Sequence, residues 1–565
     1  MKSLKVALAA LLMLSIVSWW SCNQDPKNLE SRLVDTAFAG RVIDENNAPV
    51  IGAQVQVGTE TVTTDNNGVF RTKKVRLADN NAILKVTQAG YFDFSRAYFV
   101  EDDALQPVTI QLLRKTLVGL FDNASGATIN VPGGPKLKFP ANAVDVSGTV
   151  RVYARYLNPT DPKLNLFMPG DLRAIAANGE EQTLGTFGMV AVELEGNAGK
   201  AQIAPGMEVE MTMPIAAAQA SQAPAEIALW HFDTEQARWI EEGTAQKSGN
   251  TYVGKVKHFS FWNCDVGLPL VQLSGTVYLN DEQHPLEGAT VTLTTTSSLW
   301  PGYAYTNENG QYGGGVIKDE EMVLTVQFFS QCGTTLLYTQ TVGPFTDNTV
   351  LPPIIITGSL VGSVEISGKL ETCAGTPVTN GYAKLGDFDV AFADANGEFS
   401  HSMLNCLNIP SINVQAFDFD NLKESPVQAV NIPSTGGNVD LGTITVCTGL
   451  DEYIQYNLDG TTFTIADPYA FVSDSVGIPG VFISHFNGTT TYVYMAFDAE
   501  QAGTYPLVDF RVNSLFALPN SPITTTVTQY PDQIGGYFLG TFTGTFQTEQ
   551  GGSHTVSGSY RVKRE

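Results

Sequence analysis

Six histidines and six cysteines hold most of the chemistry that this 565-residue chain could perform, and their spacing argues against a catalytic centre. The histidines are scattered along the chain, so a zinc site with three protein ligands would have to recruit them from distant strands. The tightest fragment, His284-Pro285-Leu286-Glu287, has the spacing of a ligand pair. It occupies the place that an earlier copy of the same string fills with Ala48-Pro49-Val50-Ile51, so it reads as part of a structural repeat. No metal and no cofactor are expected. His-Glu-x-x-His, Gly-x-Ser-x-Gly and a phosphate-loop lysine do not occur, and Gly196-Asn197-Ala198-Gly199-Lys200 reads as a hairpin turn. Asp65-Asn66-Asn67-Gly68, Asn307-Glu308-Asn309-Gly310 and Asp394-Ala395-Asn396-Gly397 offer oxygens to Ca²⁺ but lack a downstream bidentate glutamate, so they read as Asx turns. Glu241-Glu242 and Asp451-Glu452 are adjacent, would point to opposite faces of a strand, and read as solvated charge.

Cys22 stands apart from the other five cysteines. Of Cys264, Cys332, Cys373, Cys406 and Cys447, an odd number, at least one stays unpaired within the chain, and a disulfide between two of Cys373, Cys406 and Cys447 is expected. Among aromatics, Trp230, Trp239 and Trp262 lie in apolar strand patterns and read as core. Ser298-Leu299-Trp300-Pro301-Gly302-Tyr303-Ala304-Tyr305 lengthens a loop just before a turn, and Trp300, Tyr303 and Tyr305 are candidates for a stacking platform that would take a sugar or a peptide.

The elements that must position these groups are strands. Charged residues make up 16 % of the chain, against 53 glycines and 28 prolines, a balance that suits turn-rich β-structure and disfavours long amphipathic helices. Hydrophobic content of 43 % supports packed cores, and the length predicts several domains. The net charge of −25 excludes nucleic acid and anionic membrane surfaces as ligands.

The same string occurs three times. Gly40-Arg41-Val42, Pro49-Val50-Ile51-Gly52-Ala53-Gln54-Val55-Gln56-Val57 and Asp65-Asn66-Asn67-Gly68-Val69-Phe70 return as Gly275-Thr276-Val277, Pro285 to Leu293 and Asn307 to Tyr312, and again as Gly368-Lys369-Leu370, Pro377 to Leu385 and Asp394 to Phe399. Alternation such as Ala53, Val55 and Val57 against Gln54 and Gln56 predicts half-buried strands. The copies resemble carboxypeptidase regulatory-like domains, small transthyretin-like β-sandwiches, over 38–113, 271–357 and 363–447. The resemblance implies non-catalytic modules of a fold often grouped with carbohydrate-binding sandwiches. Between copies one and two, Phe139-Pro140-Ala141-Asn142, Met168-Pro169-Gly170-Asp171, Leu229-Trp230-His231-Phe232-Asp233 and His258-Phe259-Ser260-Phe261-Trp262 resemble the extracellular β-rich module of the astroprincin family, over 114–266. The last region, 450–565, alternates in Tyr453 to Leu458 and Gly540 to Phe546 and predicts an antiparallel barrel or sandwich. The fold class expected is therefore all-β, tandem β-sandwich domains with a C-terminal antiparallel barrel or sandwich.

At the N-terminus, Lys2 and Lys5 precede an apolar run from Val6 to Val17 that is too short to span a membrane, and small and aromatic residues lead to Cys22. This segment, 1–21, resembles a Bacteroidetes-type lipoprotein signal, which implies that Cys22 is acylated and that 22–37 is a tether. Removing 1–21 takes away two lysines and no acid, so −25 becomes −27. Short linkers at Asp265 to Pro269 and Thr357 to Gly362 predict an extended rod. Together these readings imply a non-enzymatic outer-membrane lipoprotein at the cell surface. It would be a modular stalk joined to the membrane through Cys22 and presenting binding loops to an extracellular glycan or protein for adhesion or partner interaction. A carbohydrate-binding component of a glycan-uptake system is the alternative, and a hydrolase the more remote one.

Overall fold

The structure, a computed structural model, describes residues 32–565 apart from 66, 89, 162, 198, 296–300, 331–332, 358–362, 388, 405–408, 435, 450–451, 460, 467, 473–479, 487–491, 514, 532 and 549–551. It is all-β, with 62 % of residues in strands and 1 % in helix, as the low charge and high glycine and proline content require.

The first sandwich is built around one long strand, Leu33–Ile43. Its first half pairs antiparallel with Val75–Ala78, its second half antiparallel with Val69–Arg71, and Leu105–Gln111 runs parallel beside it. The facing sheet orders Glu60–Thr63, Gln54–Val57, Ala82–Thr87 and Phe94–Tyr98, and Phe38, Val42, Val55, Val57, Phe70 and Leu84 fill the space between. Val55 and Val57 are buried while Gln54 and Gln56 are not, so the period-two pattern does what it predicts.

The other two copies repeat this connectivity. Phe261–Leu279 pairs antiparallel with Gln311–Ile317 and parallel with Ile354–Ile356, and Ser363–Thr372 pairs antiparallel with Glu398–Leu404 and parallel with Gly437–Val446. In each copy the Asx turn closes the same way. Asp65 Oδ1 accepts from the backbone N–H of Asn67 and Val69 at 2.9 Å, Asn307 Oδ1 from Asn309 and Gln311 at 2.9 Å, and Asp394 Oδ1 from Asn396 and Glu398 at 2.8 Å. The glycine that follows has positive φ and no room for a side chain: a Cβ on Gly68, Gly310 or Gly397 would sit 2.4, 2.3 or 2.6 Å from the carbonyl oxygen of Val42, Val277 or Leu370.

The middle region is one large sheet whose core contains Leu137, Phe187, Val192, Met211, Leu229 and Trp262. Its last strand, Phe261–Leu279, does not stop at a linker. It is a continuous strand of 19 residues that begins in the middle sheet and ends as the central strand of the second sandwich. The expected linker Asp265 to Pro269 is therefore corrected: Gly267 and Pro269 pair with Leu184 and Gln182, and the two modules share one backbone. Most of the other expected linker, 358–362, lies outside the described residues.

The C-terminal region is a sandwich rather than a barrel. A 6-stranded sheet containing Tyr453–Leu458, Tyr537–Gln547 and Ser553–Lys563 packs on a 5-stranded sheet containing Val481–Phe486 and Tyr492–Phe497, over Tyr456, Phe497, Phe510, Phe538 and Tyr560.

The modules do not lie end to end. Tyr382 of the third copy donates to Asp65 Oδ2 of the first at 2.5 Å and accepts from Asn67 Nδ2 at 2.9 Å, and Val69, Tyr382 and Phe417 form a shared apolar cluster. Arg71 and Arg41 reach the carbonyl oxygens of Ala393 and Asp387 at 2.5 and 3.0 Å. Glu308 of the second copy accepts from the backbone N–H of Leu105 at 2.7 Å, and Lys200 of the middle region meets Asp93 at 2.8 Å. Thr461–Ala466 of the C-terminal sandwich lies against Glu60–Thr63. The expected extended rod is thus corrected to a chain folded back around its first sandwich, because that sandwich makes polar contacts to the middle, second and third modules and lies against the C-terminal one.

Candidate functional site

The folded-back arrangement brings the three repeated sandwiches around a cleft. The Pro-x-x-Gly segment of the second copy contributes Glu287, the strands Asp389–Phe392 and Glu398–Leu404 of the third contribute Asp389, Phe392 and His401, and the first contributes Arg41 and Pro107. These residues line a cavity of about 150 Å³. It shares Glu287, Phe392 and His401 with a wider cleft of about 700 Å³, whose walls include Glu308, Glu365, Lys369, Asp394, Glu398 and Asp440. One imidazole thus stands among many carboxylates.

Burial presses His401 downward, but the Asp389 carboxylate, 3.7 Å from Nε2, and the charge of Glu287 outweigh it and hold the imidazole above its ordinary value. Burial pushes Glu287 up, against the charge of His401 and with that of Glu308. Ser400, which also lines the cleft, donates to Glu365 Oε1 at 2.9 Å. The cleft can therefore accept hydrogen bonds from a hydroxyl-rich or cationic ligand, and its serine is already committed to a carboxylate.

The residues expected from the sequence are distributed as follows. Cys22 and Trp300 lie outside the described residues. Tyr303 and Tyr305 do not form an open platform. Both line a small space at the junction of the first, middle and second modules, and Tyr305 accepts a hydrogen bond from Arg96 Nη1 at 3.0 Å. Arg96 is buried in Phe94–Tyr98 and donates also to the carbonyls of Asn165, Met168 and Gly170, so this guanidinium ties three modules together. Cys373 and Cys447 form a disulfide with Cα atoms 5.2 Å apart, one of the three pairings left open by the sequence, while Cys406 and Cys332 lie outside the described residues. Cys264 is a free, buried thiol that burial and neighbouring Asp265 push upward. His284 and Glu287 part company: His284 Nδ1 pairs with Asp281 at 2.7 Å, while Glu287 faces the cleft.

Two clusters escaped sequence reasoning. The strands Glu226–Asp233 and Arg238–Ser248 and the segment before Phe261–Leu279 bring His231, Glu242 and His258 together. Two histidines from a strand and a bend are thus gathered beside Glu242, which is not simply solvated charge. Burial and the neighbouring His258 press His231 below its ordinary value, opposed by Glu242 and Asp233. Asp265, wholly buried, is pushed up to about 7 by burial, against hydrogen bonds from Thr186, Asn263 and the Phe187 backbone.

No known protein family matches the chain, and no curated protein does. Solved structures give partial likenesses. The shaft pilin SpaA from Lactobacillus rhamnosus GG matches at 10 % identity over 32 % of this chain and 98 % of its own, with a TM-score of 0.18. The minor pilin GBS52 of Streptococcus agalactiae matches at 13 % identity over 32 % and 96 %, with a TM-score of 0.13. The Bacillus anthracis TIE protein matches at 10 % identity over 70 % and 69 %, with a TM-score of 0.15. Likenesses at that level decide nothing about role. No helix among the described residues is long and apolar enough to cross a membrane.

Proposed function

We propose that this chain is a non-enzymatic surface lipoprotein, acylated at Cys22 and held in the outer membrane. Its regulatory-like and astroprincin-like β modules form a stalk folded back on its first sandwich and present a ligand-binding cleft for adhesion or partner interaction. The observation that supports this reading is the set of polar contacts converging on the first sandwich: Asp65 with Tyr382, Leu105 with Glu308, Arg96 with Tyr305. Side chains committed to holding modules in register, with an open cleft between them, suit a binding scaffold. Labelling of cells with radioactive palmitate, paired with protease shaving of intact and lysed cells, tests it. The wild type is expected to carry label that Cys22→Ala loses, and to be digested on intact cells. Label retained by Cys22→Ala, or digestion only after lysis, would contradict the anchor or the outward face respectively.

The acidic walls of the cleft, with Phe392 and Tyr305 beside them, favour one second reading, a saccharide ligand within a glycan-uptake system. Oligosaccharide titration of the full chain would then show saturable binding lost in Glu287→Ala, whereas loss in Trp300→Ala alone would return the site to the aromatic loop.

A further inference from the structure

We propose that His231, Glu242 and His258 form a binding site for a borderline divalent transition metal, Zn²⁺ in the first instance, on the surface of the middle module. His258 Nε2 lies 3.2 Å, and His231 Nε2 3.7 Å, from the same oxygen, Glu242 Oε2. All three donor atoms fall within 4.8 Å of one another. Zinc holds imidazole nitrogen and carboxylate oxygen at about 2.0–2.2 Å, so neighbouring donors of a tetrahedron stand about 3.4 Å apart. The two separations straddle that value. The donors therefore need only small side-chain adjustments to share one ion.

The strands fix this arrangement. His231 is in register with Trp262 on one side and Ile240 on the other, and Glu242 lies two residues past Ile240, at the bulge where the pairing shifts from Trp230 with Glu241 to Ala228 with Thr244. Trp262, fully buried, donates Nε1–H to the carbonyl of His258 at 3.0 Å and stands behind both imidazoles, with ring centroids 5.6 and 5.1 Å away. The imidazole planes are perpendicular with centroids 4.5 Å apart, so two groups that would repel if both were protonated are held together by the fold. Two imidazoles and a carboxylate suit Zn²⁺ and its neighbours rather than Ca²⁺ or Mg²⁺, which take oxygen sets. The Glu242 and His258 side chains are 37 % and 33 % exposed, so the fourth position faces solvent and is open to water or to a donor from another molecule. A bound ion would clip the hairpin of His231 and Glu242 to the segment that starts the strand shared with the second sandwich.

The test is calorimetric titration of Zn²⁺ alone into the full chain, purified in detergent and stripped with chelator. One equivalent is expected at micromolar affinity or tighter, with a higher melting temperature in the presence of the ion. Glu242→Gln and His258→Ala should each weaken binding at least tenfold, while His284→Ala and His554→Ala leave it unchanged. Absence of saturable binding would overturn the proposal, as would undiminished binding by the double variant His231→Ala, His258→Ala with the wild-type melting temperature of the metal-free protein. Should that variant fail to fold, modification of the wild type by diethyl pyrocarbonate decides: Zn²⁺ must protect His231 and His258, and equal modification with and without it would refute the site.

Discussion

Two junctions hold this chain together by different physics. The middle module and the second sandwich share the strand Phe261–Leu279, so their connection is a backbone ladder with Asp265 buried in it. Among the described residues, the first and third sandwiches meet through side chains, chiefly Tyr382 on Asp65 and Asn67 and Arg71 on Ala393. Each junction holds a carboxyl whose titration burial pushes upward, Asp265 fully buried and Asp65 half-buried. The first cannot part without breaking a sheet, whereas the second can open with every module intact. Continuity of backbone sets which modules move together, and side-chain chemistry sets whether the remainder stays closed.

Breaking the ladder should have the largest effect. Leu273 is buried in the second sandwich, where its strand pairs with Gly314 on one side and Thr349 on the other. Leu273→Pro removes a packed side chain and is expected to cost roughly 3 kcal/mol or more. Calorimetry should then resolve separate transitions for the middle and second modules where the wild type shows one.

The carboxyl within that ladder supplies the next effect. Asp265 is held at about 7, above the ordinary value of 3.8, so the folded state binds its proton more tightly than the unfolded state. Its contribution is fully present below about pH 4 and is lost as pH rises through about 7. Between these limits the middle module should lose on the order of 2–4 kcal/mol. Asp265→Asn should flatten this dependence in denaturant unfolding followed from pH 4 to pH 8. A slope unchanged by the substitution would place the titration elsewhere.

The side-chain junction should respond least to a single change. Tyr382→Phe keeps the ring on Phe417 but leaves Asp65 Oδ2 and Asn67 Nδ2 without that hydroxyl, at about 1–3 kcal/mol. The expected outcome is opening of the third sandwich from the first, read as faster amide hydrogen exchange in Val69–Arg71 and Gly381–Leu385 with the melting of the second sandwich unchanged.

Local physics made much of this legible. The turns at Asp65, Asn307 and Asp394 and the alternation in Gln54–Val57 are fixed within a few residues, and they stand where the sequence places them. Gly267 and Pro269 mislead for the same reason: they read as breakers, yet pairing with Leu184 and Gln182 carries the strand straight through. Tyr382 did carry a signal. It alternates with Ala383 and Leu385, which face the core, so an aromatic falls on the outer face of its strand, where a partner must cover it. Which partner depends on residues more than 300 positions away, and no local pattern encodes that. His231, Glu242 and His258 were hidden likewise, since strand pairing and the bend that carries His258 join residues far apart in sequence.

The central claim is that the first sandwich gathers the other modules around it, and small-angle scattering of the chain tests it most directly. A single compact globule of this length would have a radius of gyration of about 24 Å. Five modules end to end, each about 35 Å long from strands of the length of Leu33–Ile43, would give about 50 Å. The folded-back arrangement predicts a value close to that of the compact globule, rising measurably in Tyr382→Phe. A value near 50 Å for the wild type would contradict it.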